Sequence, residues 1–123
     1  MAEETFANYI NGAWTQGEST IANINPSDTS DVVGHFAQAS EAETLDAIAA
    51  ARAAQPEWHG AGLEHRYGVL LSIGSELMSR AAELGRELSR EEGKPFAEGK
   101  GEVYRAGQFF HYYAAEVHRQ IGD

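Results

Sequence analysis

The spacing of apolar residues changes character once along the chain, near Ser40. Before it, short apolar runs separated by turn residues predict strands and turns over residues 1–38. Tyr9-Ile10 and Ala13-Trp14 flank Asn11-Gly12, and a type I′ turn needs positive φ at both central positions, so this stretch predicts a hairpin. A second extended run, Ile21 to Asn25, stops at Pro26. Pro26-Ser27-Asp28-Thr29 then supply turn chemistry before Val32-Val33-Gly34-His35-Phe36, a third strand. Three such strands make a marginal sheet on their own, so they are expected to pack on something else.

From residue 40 to 123 the period is helical. Ser40 and Glu43 have the spacing of a capping box, and Ala42, Leu45, Ile48, Ala49 and Ala53 follow on one face of a helix that Pro56 is expected to end. After Gly60-Ala61-Gly62, one apolar stripe runs from Leu63 to Glu92 through Tyr67, Leu70, Leu71, Gly74, Leu77, Met78, Ala81, Leu84 and Leu88. That is long for one globular helix, and Ser79 is placed to cap a fresh start, so a break is expected there. Gly93 is a left-handed stop with Pro95 behind it. The last helix is expected from Phe96 to Arg119, with Val103, Ala106, Phe110, Tyr113, Ala114 and Val117 on its face. Gly101 and Gly107 lie inside it; each costs a helix about 1 kcal/mol relative to alanine, which implies close approach of another element. Tyr104, Phe109, Phe110, Tyr112 and Tyr113 exceed one stripe, so this helix should be covered on more than one side. Gly122-Asp123 reads as a turn rather than a natural end.

Composition narrows the function. The 123 residues carry 19 acids and 9 Lys or Arg, a formal charge of −10, which repels phosphate backbones; nucleic acid and anionic membranes are not expected partners. No run approaches a membrane span, and Glu3 and Glu4 stand where a secretory signal has basic residues, so a cytoplasmic protein is expected. There is no cysteine, hence no disulfide, zinc-thiolate site or thiol nucleophile within the chain.

The remaining candidates for chemistry are weak. His35, His59, His65, His111 and His118 lack close metal-ligand spacing, and Glu87, Glu91 and Glu92 resemble a solvated helix end. Ile73-Gly74-Ser75 sits within a helix and is not a nucleophile elbow. Gly99-Lys100-Gly101 is a fragment of a phosphate cradle without the rest of either glycine-rich fingerprint, and the helical period claims it.

Taken together and in order, the segments resemble one family. Asn8-Tyr9-Ile10-Asn11-Gly12-Ala13-Trp14, Ile24-Asn25-Pro26 and Val33-Gly34 are similar to the opening of NAD(P)-dependent aldehyde dehydrogenases. The resemblance continues through Ala47 to Ala54 and Pro56-Glu57-Trp58, through Arg66, and most specifically through Glu91-Glu92-Gly93-Lys94-Pro95, Gly101-Glu102-Val103 and Phe109-Phe110-His111-Tyr112-Tyr113-Ala114. It implies an α/β parent enzyme in which residues 1–123 form the N-terminal part of the Rossmann-like nucleotide-binding domain. The stretch itself is then a short β hairpin and strand unit (1–38) followed by three or four helices (40–123), with the catalytic and oligomerisation parts absent.

The resemblance implies further properties. The parent would oxidise an aldehyde with NAD or NADP through a cysteine thiohemiacetal, and would be a homo-oligomer, dimer or tetramer, whose partners are its small-molecule substrate and the remainder of the parent chain. Nucleophile and nucleotide turn would lie outside this stretch, so the stretch alone is expected to be inactive. A monovalent cation is implied near Glu91 and the carbonyl around Ile24, against the plainer view of Glu91 as a solvated helix-end acid. Ser89-Arg90-Glu91-Glu92-Gly93-Lys94 and Gly101 to Gly107 resemble the semialdehyde branch, α-ketoglutaric semialdehyde dehydrogenases included. There Gly101, Arg105 and Phe109 would border the substrate tunnel, with Arg105 holding a substrate carboxylate; a surface or inter-subunit ion pair is the competing role for Arg105. The alternative to an enzyme segment is a stand-alone interaction module derived from the family.

Overall fold

Asn11 and Gly12 both adopt positive φ, 51° and 78°, and close the expected hairpin between β2 (Asn8–Ile10) and β3 (Ala13–Thr15). Tyr9 pairs with Trp14 across it, their rings 4.7 Å apart. The computed structural model describes residues 4–119; the Gly122-Asp123 turn lies outside the described residues. The chain divides into two compact units, Met1–Glu57 and Trp58–Asp123.

In the first unit a three-stranded sheet has the order β1 (Thr5–Phe6), β5 (Val32–Gln38), β4 (Ser19–Ile24). The antiparallel β4–β5 pair joins the two expected runs and slips register between Asn23 and Ile24. β1 was not legible in the sequence: only two residues long, it pairs in parallel with a strand far along the chain, and Phe6 stacks on Phe36 at 4.8 Å. α1 (Glu41–Gly60) begins with the expected capping box, as the Ser40 amide donates to Glu43 Oε2 (3.0 Å) and the Glu43 amide to Ser40 Oγ (3.2 Å). It does not end at Pro56. The helix runs four residues further, and residues 51–60 are all exposed, so water can satisfy the carbonyl that the missing proline amide leaves free.

The second unit holds α2 (Leu63–Ser79), α3 (Ala81–Glu92) and α4 (Phe96–Glu116). The long helical stretch does break, but not through a Ser79 cap: Ser79 Oγ donates back to the Glu76 carbonyl, and the break falls at Arg80 (φ −99°, ψ 13°) with no side-chain cap. Arg80 spans the break instead, Nη2 reaching Glu83 at 2.6 Å and Nη1 reaching Glu76 at 3.4 Å. Gly93 stops α3 at φ 72°, its amide donating to the Ser89 carbonyl (2.8 Å). α4 ends three residues short of Arg119, because Val117, His118 and Arg119 donate to carbonyls three residues back and wind into a tighter turn.

Backbones meet closely in this unit. A Cβ added to Gly107 would lie 2.7 Å from the Gly74 carbonyl oxygen, and one added to Gly99 would lie 2.6 Å from that of Gly85. The expectation for Gly107 is met. For Gly101 it is not: nothing lies within 4 Å of the place its Cβ would occupy, since this residue sits on the outer face of α4.

Candidate functional site

α4 has two unlike faces. Gly99, Val103, Gly107 and Ala114 are buried, with Ala106 and Phe110 half-buried beside them, and this face packs on α2 and α3. On the other face Arg105, Gln108, Phe109, Tyr112 and Tyr113 line an open cleft of about 320 Å³. Helical spacing explains the grouping, because residues three, four and seven apart share a side of the helix. Tyr112 and Tyr113 meet edge to face at 5.3 Å, and Tyr113 is exposed rather than part of the packed stripe.

Of the expected tunnel residues, Arg105 and Phe109 come together in this cleft. Gly101 lies one turn before Arg105 but does not line it. Gln108 went unread in the sequence, although its place three residues after Arg105 puts its amide on the same face. Among the described residues Arg105 makes no hydrogen bond or ion pair. The cleft thus offers one uncommitted guanidinium and one amide among three aromatic rings, which suits an anionic head group on a short apolar chain.

At the start of α4, Lys94 Nζ sits 2.7 Å from both carboxylate oxygens of Glu102 and also pairs with Glu92. These two partners, Glu102 first, hold the Lys94 ammonium above its usual pKa. At the α2–α3 break the Arg80 hydrogen bond holds Glu83 below the usual carboxylate range.

The other candidate residues lie on separate elements. Ile24 is exposed at the end of β4 in the first unit, and Glu91 is exposed in the last turn of α3 in the second. Ser75 Oγ donates to the Leu71 carbonyl (2.9 Å), and with its single proton so used it can only accept from His111 Nε2 at 3.1 Å, the opposite of an activated nucleophile. Among the described residues no three His, Cys, Asp or Glu gather as a metal cage, and no helix is long and apolar enough to cross a membrane. Gly99-Lys100-Gly101 lies within α4, where the Gly99 amide already donates to the Pro95 carbonyl, so these residues do not fit a dinucleotide pyrophosphate.

The described residues are thus a few strands followed by four helices, with an open aromatic cleft on the last. Residues 14–123 match the aldehyde dehydrogenase family, and the chain belongs to it. It is 37% identical over 112 residues to the α-ketoglutarate semialdehyde dehydrogenase of Haloferax volcanii, covering 89% of this chain and 23% of that protein. It is 36% identical over 117 residues to the glutarate-semialdehyde dehydrogenase of Pseudomonas putida, covering 94% and 24%. The crystal structure of an NADP-dependent enzyme from E. coli superposes with a TM-score of 0.91 at 32% identity, over 98% of this chain and 25% of that one. The chain therefore spans about a quarter of the length of the relatives it matches.

Proposed function

We propose that the chain is the N-terminal part of the nucleotide-binding domain of an NAD(P)-dependent semialdehyde dehydrogenase, which oxidises a semialdehyde to the carboxylic acid through a cysteine thiohemiacetal. The α4 cleft carries this reading: a lone, uncommitted guanidinium stands among aromatic side chains. The substrates in the names of the two curated relatives, a keto acid semialdehyde and a glutarate semialdehyde, support it. The part this chain plays is substrate holding. Arg105 grips the distal carboxylate by two parallel charge-assisted hydrogen bonds, worth roughly 1.5–3 kcal/mol each in a favourable site. Phe109, Tyr112 and Tyr113 pack on the methylenes and exclude water. The nicotinamide, bound by residues outside this chain, supplies the hydride acceptor; the cysteine also lies elsewhere, since none occurs here.

The test is kinetic. In the intact enzyme, with both nucleotides, Arg105→Met raises KM for glutarate or α-ketoglutarate semialdehyde by about tenfold or more, while sparing pentanal. Equal effects on acid and neutral aldehydes would assign Arg105 to fold or interface instead. The same reading places the enzyme in the cytoplasm as a homodimer or homotetramer, for which size-exclusion chromatography with light scattering is the check. It also assigns the exposed Glu91 carboxylate in the last turn of α3 as a hard oxygen ligand of Na⁺ or K⁺. Glu91→Gln then abolishes the stabilisation of the intact enzyme by Na⁺ or K⁺ over choline; unchanged dependence removes the site.

A further inference from the structure

Arginines in this chain pair with a glutamate three residues away wherever that glutamate is free. Arg80 does so with Glu83 (2.6 Å), Arg90 with Glu87 (3.7 Å) and Arg119 with Glu116 (3.1 Å). The spacing puts the two side chains on one side of a helix a single turn apart. Two arginines depart from the pattern. Arg86 has Glu83 at that spacing, but Glu83 is held by Arg80, and Arg86 lies over the Phe96 ring instead. Arg105 has Glu102 at that spacing, and Glu102 is held by Lys94 through both of its oxygens.

We propose that Lys94 is a positioning residue for the cleft: by holding the Glu102 carboxylate, it keeps Arg105 unpaired and available to a substrate carboxylate. The inference rests on the reading that Arg105 binds that carboxylate. Lys94 is well placed for the task. It follows the left-handed Gly93 turn, its side chain is only 17% exposed, and Glu92 on the α3 side helps fix the ammonium. Glu102 is the more exposed partner at 54% and, once released, has only one turn of helix to cross to reach Arg105. A paired Arg105 would present a neutralised site, with a carboxylate beside the place where a second carboxylate must bind. In a chain with 19 acids and 9 Lys or Arg, a free guanidinium needs such protection.

The experiment uses the intact enzyme with glutarate semialdehyde and with pentanal. Lys94→Met is expected to raise KM for the acid by about twofold, with kcat and the pentanal KM unchanged, as a modest competing ion pair predicts. Lys94→Met/Glu102→Gln should return KM to near its original value. Lys94→Met/Glu92→Gln has the same net charge but leaves the competitor in place, so it should not. Rescue by both doubles alike, a rise for both aldehydes, or no rise at all would overturn the proposal. If Lys94→Met fails to fold, Lys94→Gln removes the charge but keeps a polar side chain of similar length, and the same acid-selective rise is expected; an unchanged KM would overturn the proposal equally. Arg105→Met separates the two levels. If it is not acid-selective, the substrate reading fails; if it is and Lys94→Met is not, only the role of Lys94 fails.

Discussion

Gly107 and Gly101 are six residues apart in one helix, yet replacing them should have opposite effects. At Gly107 a methyl group would press into the Gly74 carbonyl, so Gly107→Ala forces the helices apart and should destabilise by about 1–3 kcal/mol. At Gly101 the methyl meets open space, so Gly101→Ala should stabilise α4 by about 0.5–1 kcal/mol through reduced chain entropy. Urea denaturation of both variants is the check. Glu83 gives a pH prediction of definite sign. Its folded pKa is lowered by Arg80, so its contribution is present above the ordinary carboxylate range and is lost as pH falls through the lowered value. Glu83→Gln should therefore flatten the acid limb of the stability curve, seen as a smaller drop in urea midpoint between neutral and acid pH.

Elements were the most legible scale, because their signals are local. Asn11-Gly12, the Ser40–Glu43 box and Gly93 each act through backbone geometry within a few residues, and each appears where the sequence places it. Gly93→Ala must put a Cβ at φ 72° and should cost about 1–2 kcal/mol, more than Gly93→Asn, whose side chain tolerates that region. Thermal melts of the two variants test the order. Element ends were less legible for a physical reason. Whether Pro56 stops a helix depends on whether its orphaned carbonyl finds water, and whether Ser79 caps one depends on where its hydroxyl turns. Both are decided by surroundings that the local pattern does not contain.

For the whole molecule, the exposed aromatic face of α4 departs from a self-sufficient fold. Tyr104, Phe109, Tyr112 and Tyr113 are all about half exposed or more, so the 123-residue chain alone should bind a hydrophobic dye. Monomeric behaviour with no dye binding would contradict this. The same chain should form no NADH or NADPH from any aldehyde, because it has no thiol to attack a carbonyl; reproducible turnover by pure material would overturn that. The sequence by itself determined the two-part order of strands then helices, the packed stripe of the second unit and the family, since periodicity and motif order are properties of neighbours along a chain. Only the tertiary structure decided that β1 pairs in parallel with β5 and that Gly107 and not Gly101 meets another backbone. It alone showed that Lys94 pairs with Glu102 and that, among the described residues, Arg105 has no hydrogen-bond or ion-pair partner. These depend on which of several possible partners lies within hydrogen-bonding or van der Waals reach, and that distance exists only once the helices have packed.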